Sequence, residues 1–128
     1  MQCSNFYLVT GFHRSGTSLV AKTLLDSGIN MGSTLLGASF ANPYGHVEDS
    51  EIVEFHDDIL CRNNSDWRFF GEVDLNTTDE DVKRLKKYLA GRRKLVGPIG
   101  VKDPRAINFL ELWNEASEGT LKTIVVFR

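Results

Sequence analysis

The sequence predicts an α/β protein: a mainly parallel β-sheet flanked by helices in three layers. Three observations carry this. Short β-rich apolar runs alternate with stretches whose apolar residues recur at helical spacing. The first run, Phe6-Tyr7-Leu8-Val9-Thr10, shows little polar alternation, as strands buried on both faces do. A glycine-bracketed turn joins that run directly to a helical pattern.

The elements follow in order. After the first strand comes Gly11-Phe12-His13-Arg14-Ser15-Gly16-Thr17-Ser18. Leu19, Val20, Leu24 and Leu25 then recur at helical spacing, and Gly28 supplies a stop. Residues 31–48 carry Gly32, Gly37, Pro43 and Gly45 and read as a long loop, a length associated with function. Asp49 or Ser50 caps a helix through about Arg62, with Ile52, Phe55, Ile59 and Leu60 inward and His56 on the helix face. The irregular stretch from Arg62 to Asn76 carries Trp67, Phe69 and Phe70, as an acceptor pocket or as satellite core under a loop.

Thr77 and Glu80 fit a capping box. The helix behind them turns Val82, Leu85 and Leu89 inward, exposes Lys83, Arg84, Lys86 and Lys87, and ends at Gly91. Ile99-Gly100-Val101-Lys102 is a second strand, stopped by Asp103-Pro104. Ile107, Leu110 and Trp113 mark a helix ending near Gly119, and Leu121 to Phe127 is a β-branched third strand. Ligand sites in such sheets lie beyond the carboxyl ends of the strands. Three features sit there: the Gly11–Ser18 loop, Lys102-Asp103-Pro104-Arg105, and Arg128.

Composition narrows the function classes. The 128 residues suffice for a single domain, 1–128, with a real core. Hydrophobic residues at 41% and charged residues at 25% exclude disorder as the dominant state. A net charge of -2 argues against a surface that grips nucleic acid. No apolar run approaches the roughly 20 residues of a membrane span, so no membrane partner is expected. Met1-Gln2-Cys3-Ser4-Asn5 lacks the basic start and apolar stretch of a secretory signal. Cys3 and Cys61 stand apart and read as reduced thiols, which with the missing signal predicts a cytoplasmic protein. No CxxC, HxxxH or HExxH spacing occurs, and no metal is expected.

The glycine loop carries the chemistry. Gly11-x-x-x-x-Gly16-Thr17-Ser18 has the spacing of a nucleotide phosphate loop, with threonine in the lysine position, which makes the expected fold P-loop-like. Its glycines allow close backbone approach, its amides form an anion nest, and the helix dipole adds partial positive charge. The point charge that reaches the outer phosphates of a nucleoside triphosphate is missing. Arg14 and His13 restore positive charge one turn earlier. The alternative is a strand-to-helix turn that binds nothing.

Phe12-His13-Arg14-Ser15-Gly16-Thr17-Ser18-Leu19 resembles the 5′-phosphosulfate loop of sulfotransferases that use 3′-phosphoadenosine-5′-phosphosulfate (PAPS). The form is closest to the Arg-Ser-Gly-Thr version of tyrosylprotein and many bacterial sulfotransferases. Lys102-Asp103-Pro104 resembles the Lys-Asp-Pro segment of that branch. Ile124-Val125-Val126-Phe127-Arg128 resembles its third signature, an apolar strand ending in an arginine. His13 stands where the family usually has proline. The family's domain continues beyond that arginine, so the resemblance implies that these residues correspond to the N-terminal part of a family-length domain.

The resemblance implies transfer of a sulfuryl group from PAPS, as co-substrate and without a metal, to a hydroxyl of a carbohydrate, a tyrosine or a small molecule. His13, Arg14, Ser15, Gly16, Thr17 and Ser18 would hold the 5′-phosphosulfate, and Arg128 the 3′-phosphate. Arg14 and Lys102 would stabilise the transferring group by charge. Asp103 is expected as a cap or orienting group, and Arg105 as a phosphate grip or a solvent-facing residue. A general base must take the acceptor's proton. Glu48 is the first candidate, in a Gly45-x-x-Glu48 stretch similar to one in bacterial sulfotransferases, and His46, with an unperturbed imidazole pKa of about 6.5, is the second. Two other readings stay open. One is a degenerate phosphate-loop kinase or NTPase, with Asp103 on magnesium. The other is a non-catalytic remnant that binds 3′-phosphoadenosine-5′-phosphate (PAP) and forms a homodimer through an unpaired strand edge.

Overall fold

Phe6–Gly11 forms β1, the middle strand of a parallel sheet ordered β2-β1-β3, with β2 at Ile99–Lys102 and β3 at Leu121–Val126. The computed structural model describes residues 6–12, 15–32, 47–68 and 75–127. Between β1 and β2 lie α1 (Thr17–Asp26), α2 (Ser50–Arg62) and α3 (Asp79–Arg92); between β2 and β3 lie a 3-10 helix (Pro104–Phe109) and α4 (Leu110–Ser117). Tyr7 pairs with Gly100 and Lys122, and Gly11 pairs with Val126.

Strand side chains alternate between faces, so β1 feeds two cores. Phe6 and Leu8, with Ile99 and Val101, pack against α2, α3 and α4 through Ile52, Phe55, Leu85, Leu89, Leu112 and Trp113. Val9 faces the other way and joins Ala21, Met31 and Val47, flanked by Val20, Leu24 and Ile124. Helices thus cover both faces of the sheet, which is why β1 is apolar without alternation. β3 is less enclosed: Lys122 and Thr123 are exposed and its other residues half-buried.

The helix boundaries show where tertiary contacts overrode local pattern. Asp49 is the N-cap of α2, accepting from the Glu51 amide. The capping box of α3 is Thr78 with Asp81, one residue later than the expected Thr77 and Glu80. Asp81 does double duty there. Its carboxylate accepts from the Thr78 amide at 2.8 Å and from both Nη atoms of Arg62 at 3.0 and 2.6 Å, tying α2 to α3. Gly91 does not end α3, which runs on to Arg92. That guanidinium donates to the Tyr88 hydroxyl at 2.8 Å and the Asn30 carbonyl at 2.6 Å, and it lies over the Phe6 ring. Burial pushes the Tyr88 phenol up, so it stays protonated and donates to Asp49 at 2.8 Å.

In α4 the buried positions are Leu112, Trp113, Ala116 and Ser117, whereas Leu110 is exposed and Ile107 half-buried. The expected Ile107–Leu110–Trp113 face is off because Pro104–Phe109 is a 3-10 helix. Three residues per turn there shift the phase of everything that follows.

Candidate functional site

The turn from β1 into α1 is built on two glycines. Gly11 has φ 151°, and a Cβ on it would lie 2.4 Å from the Val126 carbonyl oxygen. Its need for glycine is therefore the close approach of β3. Gly16, at φ 100°, is the N-cap of α1 and offers no side-chain cap, and the first turn carries no acidic residue. First-turn amides have no acceptor within a helix, so the head of α1 presents N–H dipoles without an in-built carboxylate. Ser15 is buried in the turn. Its amide and hydroxyl both donate to the Phe12 carbonyl, at 3.2 and 2.6 Å, so it braces the loop. Thr17 is buried and Ser18 half-buried.

Lys102 brings the second strand end to this loop. Although only 2% exposed, it sends its Nζ to Ser18 Oγ at 3.0 Å and to Glu48 Oε1 at 2.7 Å. Glu48, 6% exposed, stands directly before the α2 N-cap, so the start of α2 delivers the carboxylate. Segments 84 and 54 residues from Lys102 thereby meet at one ammonium. A buried ion pair is stable only when its partners are held in good geometry, which both strand end and helix start provide here.

Behind this pair lies a chain of buried polar groups. The Asp103 amide donates to the Val9 carbonyl at 3.1 Å, and the Thr10 hydroxyl reaches the carbonyls of Asp103 at 3.0 Å and Pro104 at 3.2 Å. The Lys102–Pro104 turn is thus pinned to the end of β1. Asp103 caps the 3-10 helix, as expected: Oδ1 accepts from the Arg105 amide at 3.1 Å and from its Nη1 at 2.9 Å. Oδ2 accepts from His56 Nδ1 at 2.6 Å. Burial raises the Asp103 carboxyl, but His56 and then Arg105 outweigh it and hold it below the usual carboxylate range. Arg105 does not simply face solvent. Burial opposes its charge, yet Asp103, Asp57 and Glu48 raise it further and keep it a cation. Its Nε donates to Asp57 at 2.8 Å and its Nη1 lies 3.6 Å from Glu48 Oε2.

His56 is the residue that sequence reasoning misplaced. It is fully buried, stacked on Phe109 at 5.1 Å, with Nε2 accepting from Trp113 Nε1 at 2.9 Å. The signal was present: Ile52, Phe55, His56, Ile59 and Leu60 occupy one helical stripe. Trp67 is 48% exposed. His13, Arg14, His46, Phe69, Phe70 and Arg128 lie outside the described residues.

The arrangement can bind an anion against the head of α1, supply a cation to it, and present a carboxylate beside that cation. Among the described residues, no group of three or more His, Cys, Asp or Glu side chains could hold a metal ion. Both oxygens of Asp103 are engaged within the protein, which leaves it badly placed as a magnesium ligand. No described helix is long and apolar enough to cross a membrane. A groove of about 470 Å³ between α2 and α3, lined by Glu51, Arg84, Lys87 and Tyr88 among others, contains none of the loop residues. No family model, curated protein or solved structure matches the chain.

Proposed function

We propose that this chain binds PAPS at the β1–α1 turn and takes part in transfer of its sulfuryl group to a hydroxyl acceptor. One observation carries the reading: the Lys102 ammonium lies within 3.0 Å of both Ser18, in the first turn of α1, and Glu48. Cation, carboxylate and the head of a helix whose N-cap is a glycine meet at one point. That fits a donor whose charge sits on a phosphate and a departing sulfuryl group.

PAPS would supply an activated sulfuryl group on its 5′-phosphate. The residues of this chain do the rest. The amides at Gly16, Thr17 and Ser18 and the Ser18 hydroxyl hold the 5′-phosphate, while Ser15 keeps the loop in shape. Lys102 offsets charge that builds on the equatorial and leaving oxygens. Glu48 accepts the acceptor's proton as Lys102 turns from it toward the donor. Arg14 and Arg128 add charge at the two phosphates by resemblance. The kinase reading is weaker, because it asks Asp103 to leave His56 and Arg105 for a magnesium ion.

Calorimetry with PAP on the folded protein is the first test, and transfer of labelled sulfuryl from PAPS to an acceptor panel is the second. Micromolar PAP binding with transfer supports the enzyme. Binding without transfer supports a non-catalytic PAP binder. No binding at millimolar PAP refutes the reading.

A further inference from the structure

We propose that His56 is a positioning residue for Glu48, acting through Asp103 and Arg105. The proposal rests on the sulfuryl-transfer reading for its catalytic consequence, but the mechanical coupling stands on contacts alone.

The chain of contacts has a direction fixed by chemistry. An indole N–H only donates, so Trp113 Nε1 at 2.9 Å makes His56 Nε2 an acceptor. The imidazole proton then sits on Nδ1 and points at Asp103 Oδ2, 2.6 Å away. The tautomer is assigned by these partners. Stacking on Phe109, with 3° between ring planes, keeps the imidazole from turning. Asp103 is fully buried and is therefore held from both sides, by His56 on one oxygen and by Arg105 on the other. Arg105 in turn is a three-way fork. It engages Asp103 at 2.9 Å and Asp57 at 2.8 Å, and its Nη1 comes within 3.6 Å of Glu48 Oε2. Lys102 holds the other Glu48 oxygen at 2.7 Å.

Glu48 thus sits between two cations, and the position of one is set by Asp103. Removing the His56 donor frees Asp103 to rotate toward Arg105. Arg105 then shifts relative to Glu48, while the helix head and Lys102 keep their own supports. A purely structural histidine would instead matter only through packing and the Trp113 bond.

Two near-isosteric variants separate these roles. His56→Asn places an amide donor where Nδ1 was and keeps the bond to Asp103. His56→Gln reaches the Nε2 position and keeps Trp113 but not Asp103. Ile59→Ala, in the same helix and fully buried, controls for lost stability.

The measurements are kcat for transfer, Kd for PAP, Tm, and the 13C shift of the Glu48 carboxyl carbon in the free protein. H56Q is expected to lower kcat by about 100-fold, the cost of a misplaced catalytic group, with Kd for PAP changed less than about threefold. It should also move the Glu48 carbon signal. H56N should stay within about fivefold of wild type in kcat and leave that signal in place, whatever its Tm. Equal kcat in H56N and H56Q, or an equal loss in I59A, overturns the proposal. Wild-type protein that binds no PAP defeats the sulfuryl-transfer reading instead. The Glu48 signal then still decides the coupling: a shift in H56Q and none in H56N upholds it, and any other pattern overturns it.

Discussion

The Lys102 ammonium and the Glu48 carboxylate lie 2.7 Å apart with both side chains almost wholly buried. Taking two charges from water costs several kcal/mol each, so either one left alone is a liability. Lys102→Met is expected to destabilise the protein by about 3–5 kcal/mol, because Glu48 is left buried beside Arg105 only. Lys102→Met with Glu48→Leu should recover most of that loss. Urea unfolding of the two singles and the double gives the coupling, and additive losses would contradict a buried pair.

Ser18→Ala tests the anion site. The hydroxyl accepts from Lys102 and stands in the first turn of α1. Loss of a hydrogen bond to a charged group is worth about 1.5–3 kcal/mol, so PAP should bind at least tenfold more weakly. Unchanged calorimetric affinity would place the phosphate elsewhere.

The two glycines at opposite ends of the molecule's needs should respond in opposite directions. Gly11→Ala forces a Cβ to within 2.4 Å of a backbone oxygen at a φ of 151° and should cost upward of about 2 kcal/mol. Gly91→Ala lies inside α3 with nothing within 4 Å of the new methyl, and should stabilise by about 0.5–1 kcal/mol. Thermal unfolding of both variants checks the pair.

Acid should unfold this protein through particular carboxylates. Asp81 is partly desolvated, which raises it, but Arg62 and the Thr78 amide lower it on balance, and Asp103 is lowered likewise. A depressed folded-state pKa contributes stability that is present above the unfolded value of about 3.9 and is lost as pH falls through the folded value. Asp81→Asn should therefore lower Tm at pH 7, with the gap to wild type closing as pH falls below the usual carboxylate range. A constant Tm gap across that range would show that the Arg62 contact contributes nothing through ionisation.

Much of the fold was legible locally. The apolar, β-rich run Phe6–Thr10 pointed to a doubly covered strand, because a strand enclosed on both faces buries consecutive residues. The Gly11–Ser18 spacing located the turn, Asp103-Pro104 announced its own cap through short-range chemistry, and of Asp49 and Ser50 the structure takes Asp49 to cap α2. The candidate site was legible as a list: Ser18, Lys102 and Glu48 stand at a helix head, a strand end and a helix start.

Tertiary structure alone decided how those residues engage one another. Pairing of Lys102 with Ser18 depends on the parallel register that brings the end of β2 beside the end of β1, and no local pattern encodes a contact 84 residues away. The same holds for His56, whose helical stripe foretold burial, while its partners Asp103 and Trp113 came from a different part of the chain. Phase also differed from the simple pattern: a 3-10 helix precedes α4, and the α3 cap falls at Thr78 with Asp81, whose carboxylate also binds Arg62. Local sequence sets which backbone a segment prefers. Burial of charge, which only the assembled core imposes, selects who must pair with whom.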